Sequence, residues 1–207
     1  MPRPVPNLRR RAILRGLALG VVGGGAALWI AAGRKATRFA YAGTPDTRQP
    51  VIPLALPDDQ GGQFDLSRHR GQVVMIYFGY THCPDVCPTT LGVMADAMRD
   101  LGPDAPRVLP VFVTLDPKRD TAAALHVYLA NFDPPPLGLS AGPAATAAAA
   151  KDWDIAWRFA DGGAFIDHSS VVTVVGPDGR VRLRYGFSQL QDGRVLANDL
   201  RHLLCEG

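Results

Sequence analysis

The chain has almost no glutamate. Of its 19 acidic residues only Glu206 is one, and the rest are aspartate. Together with abundant alanine this is a compositional bias and points to no function. The first 38 residues contain no acid at all but eight of the 22 basic residues, so the remaining body, which holds every acid, is net negative. The formal charge of +3 therefore gives no support to nucleic-acid binding, and no nucleic-acid partner is expected. Cysteine is scarce, three in 207 residues. None stands directly after the one long uncharged stretch, which argues against a bacterial lipoprotein anchor. There is no internal repeat, no phosphate-binding loop and no GxGxxG. What remains is ordinary for a globular core, 47% hydrophobic and 20% charged, in a chain long enough for one domain and an appendage.

The uncharged stretch is residues 16–33, GLALGVVGGGAALWIAAG. As a helix it would span about 27 Å, just enough for a hydrocarbon core. Its glycines weaken a helix in water but are tolerated better in a bilayer. Five arginines precede it and three basic residues soon follow, an asymmetry that favours a cytoplasmic N-terminus and a body across the membrane. The expected division is a basic cytoplasmic N-terminus at 1–15, a transmembrane anchor at 16–33, a linker at 34–50 and a folded domain at 51–207. The alternative for 16–33 is a cleaved signal peptide, with Ala31-Ala32-Gly33 as the small-residue cleavage site. The run Arg10-Arg11-Ala12-Ile13-Leu14-Arg15 loosely resembles a twin-arginine export signal.

In the body, residues 72–80 (QVVMIYFGY) and 108–115 (VLPVFVTL) read as buried strands, with Pro110 suited to a strand start or an edge. Leu91, Met94, Met98 and Leu101 form the stripe of an amphipathic helix. Asp120 or Thr121 can cap a helix through about Asn131, with Leu125, Tyr128 and Leu129 inward. A short helix is expected from Pro143 to Trp153. Gly176-Pro177-Asp178-Gly179 marks a hairpin, in whose second strand Val181, Leu183, Tyr185 and Phe187 share a buried face. Residues 193–204 close the chain as a helix that buries Val195, Leu196, Leu200, Leu203 and Leu204. The order β-α-β-α-(α)-β-β-α implies a mixed sheet with helices on its faces.

Cys83 and Cys87 stand four apart directly after the first of these strands. Each precedes a proline, and a residue before proline avoids the helical region. Pro88 fits the first helical position, which makes Cys87 the helix cap and leaves Cys83 in the loop. A sulfur at a helix N-terminus feels roughly half a positive charge, which favours the thiolate. Thiolate is the form that binds metal and the form that attacks disulfides. A structural disulfide is the third option and suits a body outside the cytoplasm. It would close too short a loop to stabilise much, at a junction where sites commonly form. The cysteines alone leave metal and redox chemistry level.

Four blocks then occur in order: GYTHCPDVCPTTL at 79–91, TLDPKRDT at 114–121, FDPPPLGLS at 132–140 and DHSSVVTVVGPDGRV at 167–181. They resemble the Sco/SenC family, copper-binding assembly factors for cytochrome c oxidase. The resemblance implies an α/β fold, a thioredoxin-like mixed sheet flanked by helices and preceded by one N-terminal transmembrane helix. It implies copper, as Cu(I) or Cu(II), held by Cys83, Cys87 and His168. Two soft thiolates and an imidazole suit Cu(I), and suit Cu(II) with a further weak ligand. The implied function is a metallochaperone, not an enzyme, that delivers copper to the dinuclear copper site of the oxidase. Its partners would be the copper-bearing oxidase subunit or another copper carrier, and its place the bacterial inner membrane with the C-terminal domain in the periplasm. The match is poor from Ala144 to Ala164, where a hairpin of the family is expected to be reduced.

Two other functions fit the same cysteines: a thiol–disulfide oxidoreductase that reduces a partner through Cys83 and Cys87, and a copper or redox sensor. Thioredoxin-like oxidoreductases usually carry a proline in the loop facing their cysteines, and residues 166–170 have none. That favours the metal. Asp167 is a candidate to orient the His168 ring. His82 neighbours Cys83, but adjacent side chains on an extended segment point apart, so it is not expected to be a ligand. His69, His126 and His202 have no partner in view and read as surface residues. Asp85 and Asp116 read as loop acids, Asp85 with a docking role open, and Cys205 as a free thiol on a helix.

Overall fold

The computed structural model describes residues 40–206; the anchor or signal segment expected at 16–33 lies outside them. Among the described residues the strands are β1 (Thr44–Pro45), β2 (Ala55–Pro57), β3 (Gln63–Asp65), β4 (Val73–Gly79), β5 (Val108–Thr114), β6 (Leu137–Leu139), β7 (Trp157–Ala160), β8 (Phe165–His168), β9 (Val171–Val175) and β10 (Val181–Gly186). The α-helices are α1 (Val86–Leu101), α2 (Ala122–Leu129), α3 (Pro143–Asp152) and α4 (Gly193–Glu206). No helix of this region is long and apolar enough to cross a membrane.

All seven residues of β4 are buried, as an apolar run without alternation requires, so both faces of the sheet must be covered. The sheet order is β1-β10-β9-β4-β5-β6, with β4, β5 and β6 parallel and β9 antiparallel to β4. Successive strand residues point to opposite faces. Phe78 packs 6.3 Å from the Trp153 ring, just beyond α3, while Tyr77 turns the other way, toward Cys87 at the start of α1. The stripe of Leu91, Met94, Met98 and Leu101 is buried, and α1 packs against α4. Gly193 opens α4 where a Cβ would stand 2.7 Å from the backbone nitrogen of Ala97, so this close crossing needs glycine.

Local detail departs from the sequence in several places. α1 begins at Val86 behind Asp85, which puts Cys87 and Pro88 inside its first turn, not at the cap and first position. The first four helical N–H groups have no acceptor within the helix, so proline is tolerated there. Thr121, not Asp120, caps α2, accepting from the Ala124 N–H at 3.2 Å. Pro110 lies in β5 one residue before its pairing with β6 begins, in keeping with a place near the strand start. Phe187 leaves β10 for a 3-10 turn and is 37% exposed, and Val195 on α4 is 43% exposed. The strands β1, β2, β3 and β6 carry too few residues to show a pattern, and β7 with β8 forms a hairpin of four-residue strands in the region where a reduced one was expected.

Thr44–Pro45, within the stretch read as linker, pairs with β10. Asp199 of α4, 2% exposed, secures this edge by accepting from the N–H groups of Ala42 (2.8 Å) and Gly43 (3.1 Å) and from the Tyr185 hydroxyl (2.6 Å). Removing the carboxylate strands buried donors, so Asp199→Ala should cost about 2–4 kcal/mol. The check is the urea midpoint; an unchanged midpoint would refute this assignment.

Candidate functional site

β4 delivers the chain to the site and Gly79 ends it. A Cβ at Gly79 would meet the Phe112 ring at 2.8 Å and Cys87 Sγ at 3.0 Å, so the missing side chain makes room for the sulfur. The loop carrying Cys83 then runs into α1. β9 lies antiparallel to β4, with Tyr77 opposite Val172, so the beginning of β9 comes to the end of β4. β8 ends at His168 three residues earlier. His168 Nε2 thereby comes within 3.6 Å of Cys87 Sγ across 81 residues of sequence.

Cys87 is fully buried and Cys83 half-buried, and no disulfide joins them. Two contacts hold the sulfurs and a third holds the imidazole. The Cys87 N–H, one of the unsatisfied amides of the first helical turn, donates to Cys83 Sγ at 3.4 Å. The Tyr77 hydroxyl donates to Cys87 Sγ at 3.5 Å. His168 Nδ1 lies 3.1 Å from the Ser169 carbonyl, which can only accept. The hydrogen-bond partner thus assigns the imidazole proton to Nδ1 and leaves the Nε2 lone pair toward Cys87. An open cleft of about 400 Å³, lined by Trp157, Arg158, Asp167 and Ser169, reaches His168. Among the described residues no group of three or more His, Cys, Asp or Glu side chains stands as a set that could hold a metal ion; the donors are neighbours without converging on one point.

The groups divide their protons unequally. Cys83 is held down to about 5, chiefly by a hydrogen bond with the Cys87 thiol, with help from the backbone N–H groups of Cys87 and Asp85 and from His168, and against its burial. Cys87 is pushed up by donating that hydrogen bond and by burial. Burial lowers His168 below the usual histidine value. At neutral pH the site therefore holds one thiolate, one thiol and one neutral imidazole.

Asp167 does not orient the imidazole: its carboxylate pairs with Arg158 across the hairpin at 2.8 Å, and a backbone carbonyl takes Nδ1. His82 is exposed, and its Nδ1 lies 3.0 Å from the Thr81 hydroxyl and 3.6 Å from the Asp120 carboxylate. The other histidines do have partners: His69 meets Gln72, His126 meets Asp59, and His202 lies 3.5 Å from Glu206. Asp116 is buried and pairs with Arg119, not a solvated loop acid. Cys205 is exposed on α4. The residue that sequence reasoning missed is Asp120. It is fully buried and accepts from the Thr81 N–H (3.0 Å), the Thr81 hydroxyl (2.5 Å) and the Thr114 hydroxyl (2.7 Å), tying the cysteine loop to the end of β5. The adjacent Asp120-Thr121 pair, of which only one can cap the helix, was the available signal.

A mixed sheet flanked by helices, with a CxxxC pair at a strand-to-helix turn, is a thioredoxin-like fold. A family model described as SCO1/SenC matches residues 43–205, and the chain belongs to that family. It is 34% identical to the human mitochondrial protein SCO2 homolog, over 89% of this chain and 72% of that one. It superposes on the copper-bound ScoI of Bradyrhizobium japonicum with a TM-score of 0.68 at 33% identity, covering 74% of this chain and 99% of that one. For apo Sco1 of Thermus thermophilus the TM-score is 0.72 at 33% identity, covering 81% and 99%.

The proton distribution has a direct chemical consequence. In a Cys205→Ser background at neutral pH, iodoacetamide should label Cys83 and spare Cys87. The Cys83 rate should fall about tenfold per pH unit below about 5, because the thiolate is the nucleophile. Mass spectrometry locates the label, and Cys87 as the labelled residue would reverse the assignment.

Proposed function

We propose that this protein holds one copper ion with Cys83, Cys87 and His168 and delivers it to the dinuclear copper site of cytochrome c oxidase during assembly. The observation that carries the reading is the approach of His168 Nε2 to Cys87 Sγ at 3.6 Å, with Nδ1 occupied by a carbonyl. A neutral imidazole lone pair beside two sulfurs is a soft donor set suited to copper. Relatives from Bradyrhizobium japonicum and yeast, 33% and 27% identical, have been solved with copper bound. Cys83 enters the metal already ionised, and Cys87 must lose its proton on loading, so uptake releases acid. The cleft beside His168 supplies the approach, for the copper-bearing oxidase subunit or another copper carrier. Residues 16–33 anchor the chain in the bacterial inner membrane, and the domain beyond the linker, whose strand β1 already lies within 34–50, works in the periplasm.

A second reading is favoured by one observation: a half-buried thiolate at Cys83 stands beside a buried thiol at Cys87, the arrangement of an attacking and a resolving cysteine. A reductase of a partner's disulfide needs no imidazole ligand, and this separates the two. His168→Ala should weaken Cu(II) retention by at least about 10- to 100-fold, the range lost even when a ligand's supporting partner is removed, and should impair oxidase assembly at limiting copper. Cys83→Ser and Cys87→Ser should abolish function under either reading. The measurement is oxidase activity in cells carrying each variant, beside the copper content of the purified proteins. Normal assembly in His168→Ala cells would sink the chaperone reading and leave the reductase.

The anchor has its own test. A periplasm-dependent reporter fused after Gly207 should be active, and the mature protein should keep its N-terminal sequence. A mature N-terminus near Arg34 would replace the anchor with a cleaved signal.

A further inference from the structure

Tyr77 is fully buried in the middle of the sheet, opposite Phe112 on β5 and Val172 on β9, so its backbone has no freedom to withdraw. A buried phenol hydroxyl must find a partner. This one spends its proton on a sulfur, Cys87 Sγ at 3.5 Å, while the ring lies 6.2 Å from that of His168. A single residue thus touches the surroundings of both side chains that face each other in the site. The arrangement exceeds what packing requires, since phenylalanine would fill the same volume.

The geometry points to Tyr77 as the hydrogen-bond donor that sets the electron density of the Cys87 sulfur and so biases the site toward Cu(I) over Cu(II). This rests on the copper reading above. A thiolate that accepts a hydrogen bond has less charge to give to a metal. Cu(II) loses more from that than Cu(I), so the one-electron Cu(II)/Cu(I) potential rises. Hydrogen bonding at ligand sulfur is a general lever on copper and iron–sulfur potentials. Tyr77 acts through Cys87 and is a positioning residue, not a ligand. A phenol is protonated at neutral pH, so the donor is always armed.

The test is made on the full-length protein loaded with copper. Tyr77→Phe keeps the ring and removes the O–H. Its affinity for Cu(II) relative to Cu(I) should rise about tenfold, the lower end of what partners of metal ligands contribute. For one electron that is a fall in potential of about 59 mV. The sulfur-to-Cu(II) charge-transfer band should move to lower energy. Tyr128→Phe is the control, because it removes a buried hydroxyl that has no hydrogen-bond partner and should move neither readout. Fluorotyrosine placed at position 77 alone, a stronger donor, should shift both readouts the opposite way, and it keeps the proposal testable if Tyr77→Phe does not fold. Wild-type potential and band in Tyr77→Phe, or equal shifts in Tyr128→Phe, would overturn the role of Tyr77 alone. Absence of any sulfur-to-copper band in the wild-type protein would overturn the copper reading and this inference with it.

Discussion

The antiparallel pairing of β9 with β4 is the constraint on which the site depends. The cysteines need only β4 and the turn into α1, which are consecutive in the chain. His168 is brought in because β9 runs against β4 in one register, Tyr77 opposite Val172. A shift of one residue would turn every side chain of β9 to the other face, in a strand whose last four residues are all buried. The apolar burial that holds the sheet together therefore also holds the imidazole beside the sulfur. Stability and site geometry have a common origin.

Within that frame the site is built from unequal thiols. The amide of Cys87 and the thiol of Cys87 both point at Cys83, so one sulfur gathers the hydrogen bonds that favour its anion. The other sulfur is buried and protonated, with the Tyr77 phenol and the Tyr80 backbone N–H donating to it. The His168 ring, desolvated and tied by Nδ1 to a backbone carbonyl, stays neutral. None of the three requires a nearby side-chain carboxylate. Asp167, next in sequence to His168, is drawn off by Arg158.

The buried carboxylates do structural work at the edges instead. Asp120 holds the loop before Cys83 to the end of β5, and Asp199 holds the chain before β1 to β10 and α4. Each accepts from a backbone N–H and from a hydroxyl, which suits a short side chain that lies close to the main chain. Both would be costly to strip of their partners, because the donors they satisfy lie out of water.

Much of this protein was legible before any coordinate. An unbroken apolar run signalled β4, a spacing of three and four signalled α1, and Gly-Pro-Asp-Gly marked the turn between β9 and β10, with Gly179 at a φ of +71°. Four ordered blocks identified the family and, with it, the three residues proposed to bind copper. Tertiary structure alone decided the rest. Strands of two to four residues carry too short a pattern to be read, so β1, β2, β3, β6 and the β7–β8 hairpin appeared only with their partners. Phe187 continued an alternating pattern but left the sheet where the strand stopped pairing, and Asp120 and Asp167 took roles that their neighbours in sequence did not suggest. Periodicity records which face a residue presents and over what length. Which element lies beside which, and hence whether a histidine meets a sulfur 81 residues away, is settled by long-range register and by the burial that makes only one register affordable.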